Sequence, residues 1–181
     1  PESLGDKDTI ALFDYRHPKV KEVVWEIKYK GNTKIASKLG EIIYDHIRQE
    51  LDDLRLFDNK WSNPILIPIP ISNKRKFERG WNQSELLAKQ VLACDHEKIF
   101  RYLPNELTKS RHTESQTRLG LRSERLKNLT DSMQVRNAEE VRGKCIILLD
   151  DVMTTGSTFA EARRALRGAG AKKFLCVAIA H

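Results

Sequence analysis

Asp150 and Asp151 stand side by side between four consecutive apolar residues, Ile146 to Leu149, and a hydroxyl-rich turn, Thr154-Thr155-Gly156-Ser157-Thr158. Paired carboxylates at the end of an apolar strand can accept hydrogen bonds from neighbouring hydroxyls, as on a ribose. The turn offers successive backbone N–H groups, and Gly156 lets it bend tightly. Thr158 and Glu161 have capping-box spacing, which predicts a helix opening at the turn. A run of N–H groups at a helix start cradles phosphate. No Gly-Lys-Ser/Thr follows the strand, so this is not a P-loop. An ordinary strand–turn–helix has no need of acids, hydroxyls and glycine in this order.

A second set of chemically apt residues lies earlier. Ile65-Leu66-Ile67-Pro68-Ile69-Pro70 reads as a short buried strand ended by prolines, and Ile71-Ser72-Asn73-Lys74-Arg75-Lys76-Phe77-Glu78-Arg79-Gly80-Trp81 follows it. A basic loop after a strand end is where α/β sheets hold anions. Read alone, it is equally a solvated charge run. The charge balance favours a role: residues 73–127 carry 13 Lys/Arg against 7 Asp/Glu, or +6 of the chain's net +7. Such an excess draws polyanions, pyrophosphate or nucleic acid. Lys74, Arg75, Lys76 and Arg79 interleave with Phe77 and Trp81, which supplies cations for phosphates and rings for bases. Trp81 either stacks on a base or pins the loop to the core.

The elements that must position these residues follow from the apolar pattern. Thr9 to Tyr15 predicts a short strand. Val20, Val24 and Ile27 have helical spacing over Pro18–Tyr29, with Gly31 as the break and Trp25 in the core or at its rim. Ala36, Leu39, Ile43 and Ile47 continue a second helix towards Leu51, and Asn59-Lys60 marks a loop. Asn82 and Glu85 open a helix through Leu86, Leu87, Gln90 and Val91. Short strands are expected over Ile99–Leu103, Met133–Val135 and Lys172–Ala180, and a short helix over Leu119–Leu129. Residues 104–119 have no apolar period and hold Lys109, Arg111 and His112, which predicts a long flexible loop. His112 is either a contact to phosphate or a solvated loop residue. The whole reads as a single α/β domain, 1–181, with a mainly parallel central sheet and helices on both faces.

Composition sets limits. With 40% apolar and 31% charged residues the chain is globular in type, and no apolar run approaches a membrane span. Cys94, Cys145 and Cys176 are odd in number and scattered, which argues against a disulfide framework or zinc site and for a reducing, cytoplasmic setting.

The stretch from Ile146 to Thr158 resembles the phosphoribosyl-pyrophosphate (PRPP) motif of type I phosphoribosyltransferases. Pro68-Ile69-Pro70-Ile71, Arg79-Gly80-Trp81-Asn82-Gln83-Ser84-Glu85-Leu86-Leu87-Ala88 and Arg111-His112-Thr113-Glu114-Ser115-Gln116-Thr117-Arg118-Leu119 resemble the ComF family of competence-associated proteins, over roughly residues 17–181. The resemblance implies a type I phosphoribosyltransferase-like fold: an N-terminal helical or hood region, 1–64, and a PRPP-binding core, 65–181. It implies that Asp150 and Asp151 hold the ribose hydroxyls and that Thr154, Thr155, Gly156, Ser157 and Thr158 wrap the 5′-phosphate. Val152 and Met153 fall within that motif, and Ser72, Asn73, Lys74 and Arg75 face the pyrophosphate. Lys109 and Arg111, in the loop that would close over the leaving group, join the acids as candidate catalytic residues. Mg2+ would arrive with PRPP and bridge its oxygens. The family often begins with a four-cysteine zinc module, which this sequence lacks. Two functions stay open. One is a PRPP-binding competence protein in DNA uptake and natural transformation, with single-stranded DNA (through Lys74, Arg75, Lys76, Arg79 and Trp81) and competence machinery proteins as partners. The other is an active phosphoribosyltransferase with an unidentified acceptor.

Overall fold

The computed structural model describes residues 8–109 and 132–181. Five parallel strands form the central sheet: β1 (Thr9–Phe13), β2 (Ile65–Pro68), β3 (Arg101–Tyr102), β6 (Cys145–Val152) and β7 (Lys173–Ala180). Their spatial order is β1-β7-β6-β2-β3. A separate antiparallel ribbon pairs β4 (Leu107–Lys109) with β5 (Met133–Val135). Six α-helices lie among the described residues: α1 (Pro18–Lys30), α2 (Thr33–Phe57), α3 (Asn73–Arg79), α4 (Gln83–Cys94), α5 (Ala138–Val141) and α6 (Ser157–Gly168).

The alternation of side chains along β6 divides the core into two layers. Ile147 and Leu149 face one side with Leu66, Val177 and Ile179, covered by α1, α2 and α4 through Ile27, Ile43, Ile47, Leu87 and Val91. Ile146 and Leu148 face the other with Ile65, Ile67 and Cys176, covered by α6 through Phe159, Ala162 and Leu166. Both faces are buried, so the central strands read as unbroken apolar runs rather than alternating ones. The N-terminal helices are thus a layer of the core, and the C-terminal end of α1 reaches the mouth of the sheet through Lys28. No described helix is long and apolar enough to cross a membrane.

Caps explain the boundaries. Pro18 starts α1, and Gly31 ends it in the left-handed region at φ 58°. Asn32 accepts from the Ile35 N–H at 3.2 Å and starts α2. That helix runs past Leu51 to Phe57, and the expected loop at Asn59-Lys60 is a 3-10 turn, Asn59–Ser62, that buries Trp61.

Several expectations are corrected. The basic segment after β2 is the helix α3, because Ser72 caps it and Gly80 closes it at φ 83°. The loop expected over 104–119 contains β4, whose partner is β5; its residues 110–119, with Arg111 and His112, and the helix expected over 119–129 lie outside the described residues. The capping box at Thr158 and Glu161 does not form. Glu161 is buried, where it accepts from the Met133 N–H at 3.1 Å and pairs with Arg164 at 2.8 Å. The α6 cap is Gly156, at φ 72°. Of the two places expected for Trp25, core or rim, it takes the outer one, 49% exposed.

Candidate functional site

The connections fix where a ligand would sit. β2 leads through α3 and α4 to β3 on one side, and β6 leads through α6 to β7 on the other. β2 and β6 are neighbours, so their carboxyl ends form a topological switch point, where open α/β sheets bind ligands. The Ile69 N–H donates to the Leu149 carbonyl at 2.9 Å, which holds the two strand ends together. The acidic pair and the basic segment therefore arrive at one mouth, despite their separation in sequence.

Asp150 and Asp151 are the sixth and seventh residues of β6 and are only 7% and 5% exposed. Asp150 Oδ1 accepts from the Ser84 hydroxyl at 2.8 Å and from the Asp151 N–H at 2.9 Å. Burial and the adjacent Asp151 charge push the Asp150 carboxyl up to about 8, against the pull of Ser84. Asp151 Oδ1 accepts from the Val152 N–H at 2.9 Å. Its Oδ2 is buried without a hydrogen bond, and the Lys28 ammonium, from α1, stands off at 3.9 Å. That is an ion pair but too long for a hydrogen bond.

The turn beyond the acids is anchored at its start, where the Met153 N–H donates to the Ala180 carbonyl at 2.9 Å. Thr155 Oγ1 and Ser157 Oγ lie 2.8 Å apart, and the Ser157 N–H reaches Thr155 Oγ1 at 3.4 Å. Asp150, Val152, Met153, Thr154, Gly156, Ser157, Thr158 and Phe159 line one pocket, which takes in one acid and most of the turn, while Asp151, Thr155 and the basic residues are not in its lining.

Cations reach the mouth from two elements. Ser72, buried, caps α3, with Asn73, Lys74 and Arg75 in its first turn. Lys109 ends β4, where burial lowers its ammonium pKa, Arg75 lowers it further, and Asp150 and Glu161 oppose the shift. Lys109 thus lies within electrostatic reach of Asp150, Glu161 and Arg75. Glu161 would be penalised by burial, but Arg164 and the Met133 N–H hold its carboxyl below the ordinary range. Lys74 and Lys76 are exposed on α3.

Two contributors, Ser84 and Lys28, escape a reading of the sequence. Ser84 lies within the segment that carries the family resemblance, and its bond to Asp150 gives that segment a physical reason. Asn82 caps α4 by accepting from the Ser84 N–H at 3.0 Å, while its amide donates to the Ile69 carbonyl at 3.0 Å. This joins the start of α4 to the end of β2 and sets Ser84 over Asp150. Lys28 carries no sequence signal at all. Trp81 is a pin: its indole N–H donates to the Ile27 carbonyl at 3.1 Å. A Cβ at Gly31 would meet its ring at 3.2 Å, so the two pack closely.

A model of the phosphoribosyl transferase domain matches residues 91–181, which include both acids and the turn. The chain belongs to the phosphoribosyl transferase domain family. Within it, the ComF resemblance is borne out by its relatives. The chain is 27% identical over 172 residues to the DNA utilization protein YhgH of Escherichia coli K12, covering 93% of this chain and 70% of that protein. It is 26% identical over 165 residues to the competence protein ComFC of Bacillus subtilis, covering 91% and 60%. It is 28% identical over 152 residues to competence protein F of Haemophilus influenzae, covering 83% and 63%. The chain therefore spans 60% to 70% of the length of these relatives. A hypoxanthine-guanine phosphoribosyl transferase from L. donovani aligns over 81% of this chain and 71% of its own, at 13% identity and a TM-score of 0.43.

Proposed function

We propose that this chain binds PRPP, with Mg2+, at the joined ends of β2 and β6, and that it serves DNA uptake as a competence protein that handles single-stranded DNA. The observation that carries the ligand is Asp151 Oδ2, a buried oxygen without a hydrogen bond, on the residue that follows the pocket-lining Asp150. Buried acceptors are seldom left unpaired, and a ribose hydroxyl is a donor of the right kind. Asp150 is the second acceptor, steadied by Ser84. The N–H groups from Thr154 to Thr158 suit a 5′-phosphate at the start of α6. Lys74, Arg75 and Lys109 supply positive charge for the pyrophosphate.

The residues fit magnesium of the kind that enters with its substrate. Among the described residues no three His, Cys, Asp or Glu side chains cluster as a cage, whereas two carboxylates sit at the mouth, and Mg2+ is commonly held by few carboxylates plus phosphates and water. When bound, it neutralises charge on the pyrophosphate. The DNA role takes its support from the relatives' names and from the basic middle of the chain.

A transfer reaction is the second reading, favoured by Lys109. An ammonium half-removed from water acts strongly on charge that develops at a leaving pyrophosphate. The acceptor would attack C1 of the ribose as the C1–O bond to pyrophosphate breaks.

Calorimetry with Mg-PRPP tests the site. Asp150→Asn with Asp151→Asn weakens the acceptors, and the affinity should fall at least about tenfold, as the charge-assisted bond to Asp151 alone contributes roughly 1.5–3 kcal/mol. Unchanged affinity in a folded double variant would falsify the placement. Pyrophosphate release on addition of candidate acceptors separates the second reading from the first.

A further inference from the structure

Two large aromatic side chains sit half in water on α1, although the core beneath that helix is well filled. Trp25 is 49% and Tyr29 52% exposed, one helical turn apart, with ring centroids 5.8 Å from each other. Each ring has a cation over it: the Lys30 ammonium lies 5.0 Å from the Trp25 centroid, and the Arg79 guanidinium 5.2 Å from that of Tyr29. Arg79 belongs to α3, so this contact joins the aromatic pair to the basic helix and makes one surface of both. Lys74 and Lys76 are exposed on that same helix, and Phe77 is 92% exposed between them and Arg79. Glu26, next to Trp25 in sequence, is already engaged by Lys30 at 2.6 Å and by the Asn32 amide at 3.1 Å.

We propose that Trp25 and Tyr29, with Lys30 and Arg79, form a stacking platform for the bases of single-stranded DNA, whose phosphates continue onto Lys74 and Lys76. Rings alternating with cations are the chemistry that single strands require. Bases stack on the faces, phosphates pair with the charges, and no base edge need be read. A duplex offers no free base faces, and an acidic peptide would use the charges but leave the rings idle. The platform also replaces Trp81, whose ring is committed to Gly31 and whose N–H is committed to Ile27. This inference rests on the single-strand part of the proposed function, and it shares Lys74, but neither ring, with the proposed pyrophosphate site.

The test is a titration of labelled oligothymidylate into the wild type, Trp25→Ala/Tyr29→Ala, Trp25→Phe/Tyr29→Phe and Lys74→Ala/Lys76→Ala, at two salt concentrations. The alanine pair should lose at least about tenfold in affinity through lost stacking, and the phenylalanine pair should recover most of it. The lysine pair should flatten the salt dependence by about 1.4 in log–log slope, near 0.7 per lost contact. Mg-PRPP binding should be unchanged in the alanine pair, which also shows that the variant is folded. If the wild type binds no oligonucleotide at low salt, the DNA part of the proposed function falls and takes the platform with it. If the wild type binds and the alanine pair binds equally well, the platform alone is overturned. Equal binding of duplex, or tighter binding of oligouridylate, overturns the assignment to single-stranded DNA.

Discussion

Asp150→Asn should make the empty protein more stable at pH 8 while weakening the binding of PRPP. Both hydrogen bonds that Asp150 accepts, from Ser84 and from the Asp151 N–H, land on the same oxygen, Oδ1. The asparagine carbonyl can keep both, and its amide can donate towards Asp151. The substitution therefore removes the ionisable proton and leaves the packing intact. The Asp150 carboxyl is raised from its ordinary 3.8 to about 8 by burial and by its acidic neighbour. A raised carboxyl is held neutral by the fold, so the folded state binds that proton more tightly than the unfolded chain. The stabilisation is fully present below the unfolded value and is lost as pH rises through about 8. Each unit of separation corresponds to about 1.4 kcal/mol. Counting only one unit, the asparagine variant gains on the order of 1 kcal/mol at pH 8 and little at pH 4. In a chain of this size that is roughly 2–4 °C in Tm. Ser84→Ala should act in the opposite sense, since its hydroxyl lowers the Asp150 pKa, and should cost more at pH 8 than at pH 4. Thermal unfolding across this range decides the matter. Wild-type stability that rises between pH 4 and 8, or an asparagine variant no more stable than wild type at pH 8, would refute the reasoning.

Two further outcomes follow from packing and capping. Gly40→Ala should destabilise by about 1–3 kcal/mol in denaturant titration, because the new Cβ would stand 2.5 Å from Gln90 Cβ and 2.9 Å from its backbone carbon, where α2 crosses α4; a neutral effect would mean that the helices separate freely. Asn82→Ala should cost about 1–2 kcal/mol and also weaken Mg-PRPP binding in calorimetry, since it removes the α4 cap and the tie that sets Ser84 over Asp150; a stability loss with unaltered PRPP affinity would leave Asn82 a cap alone.

The parts of the site that lie together in the chain were legible in it. Asp150, Asp151 and the turn to Thr158 occupy one strand–turn–helix, so order and residue type suffice to mark them. Ser84 and Lys28 were not legible as partners of the acids, because sheet order, and not spacing, brings them there; Ser84 is 66 residues from Asp150. The helix α3 was hidden for another reason. It is seven residues long and buries none of them, so it has no apolar period to detect, only the cap at Ser72. Glu161 shows local and tertiary signals in conflict: its spacing promised a cap, and the Met133 N–H and Arg164 claimed it instead. Trp25 shows the limit of periodicity, since a large aromatic on an amphipathic helix is read as core or rim alike until something on the outer face, here Lys30, gives it a reason to stay out.

The position of β1 has a consequence for the order in which the domain assembles. This strand is the first of the described ones and pairs with β7, Thr9 opposite Cys176 and Phe13 opposite Ala180, and the Tyr15 N–H donates to the His181 carbonyl. Contacts of such sequence separation close late, because the loop entropy is lost before any contact rewards it. During synthesis β2, α4 and β3 can associate as they emerge, but β1 waits for β7 to leave the ribosome. Val24 and Ile27 of α1 share a core cluster with Leu175 and Val177 of that same strand. Lys28 therefore comes within 3.9 Å of Asp151 only at the final closure, and pulse-labelled exchange should find the β1 amides among the last to be protected.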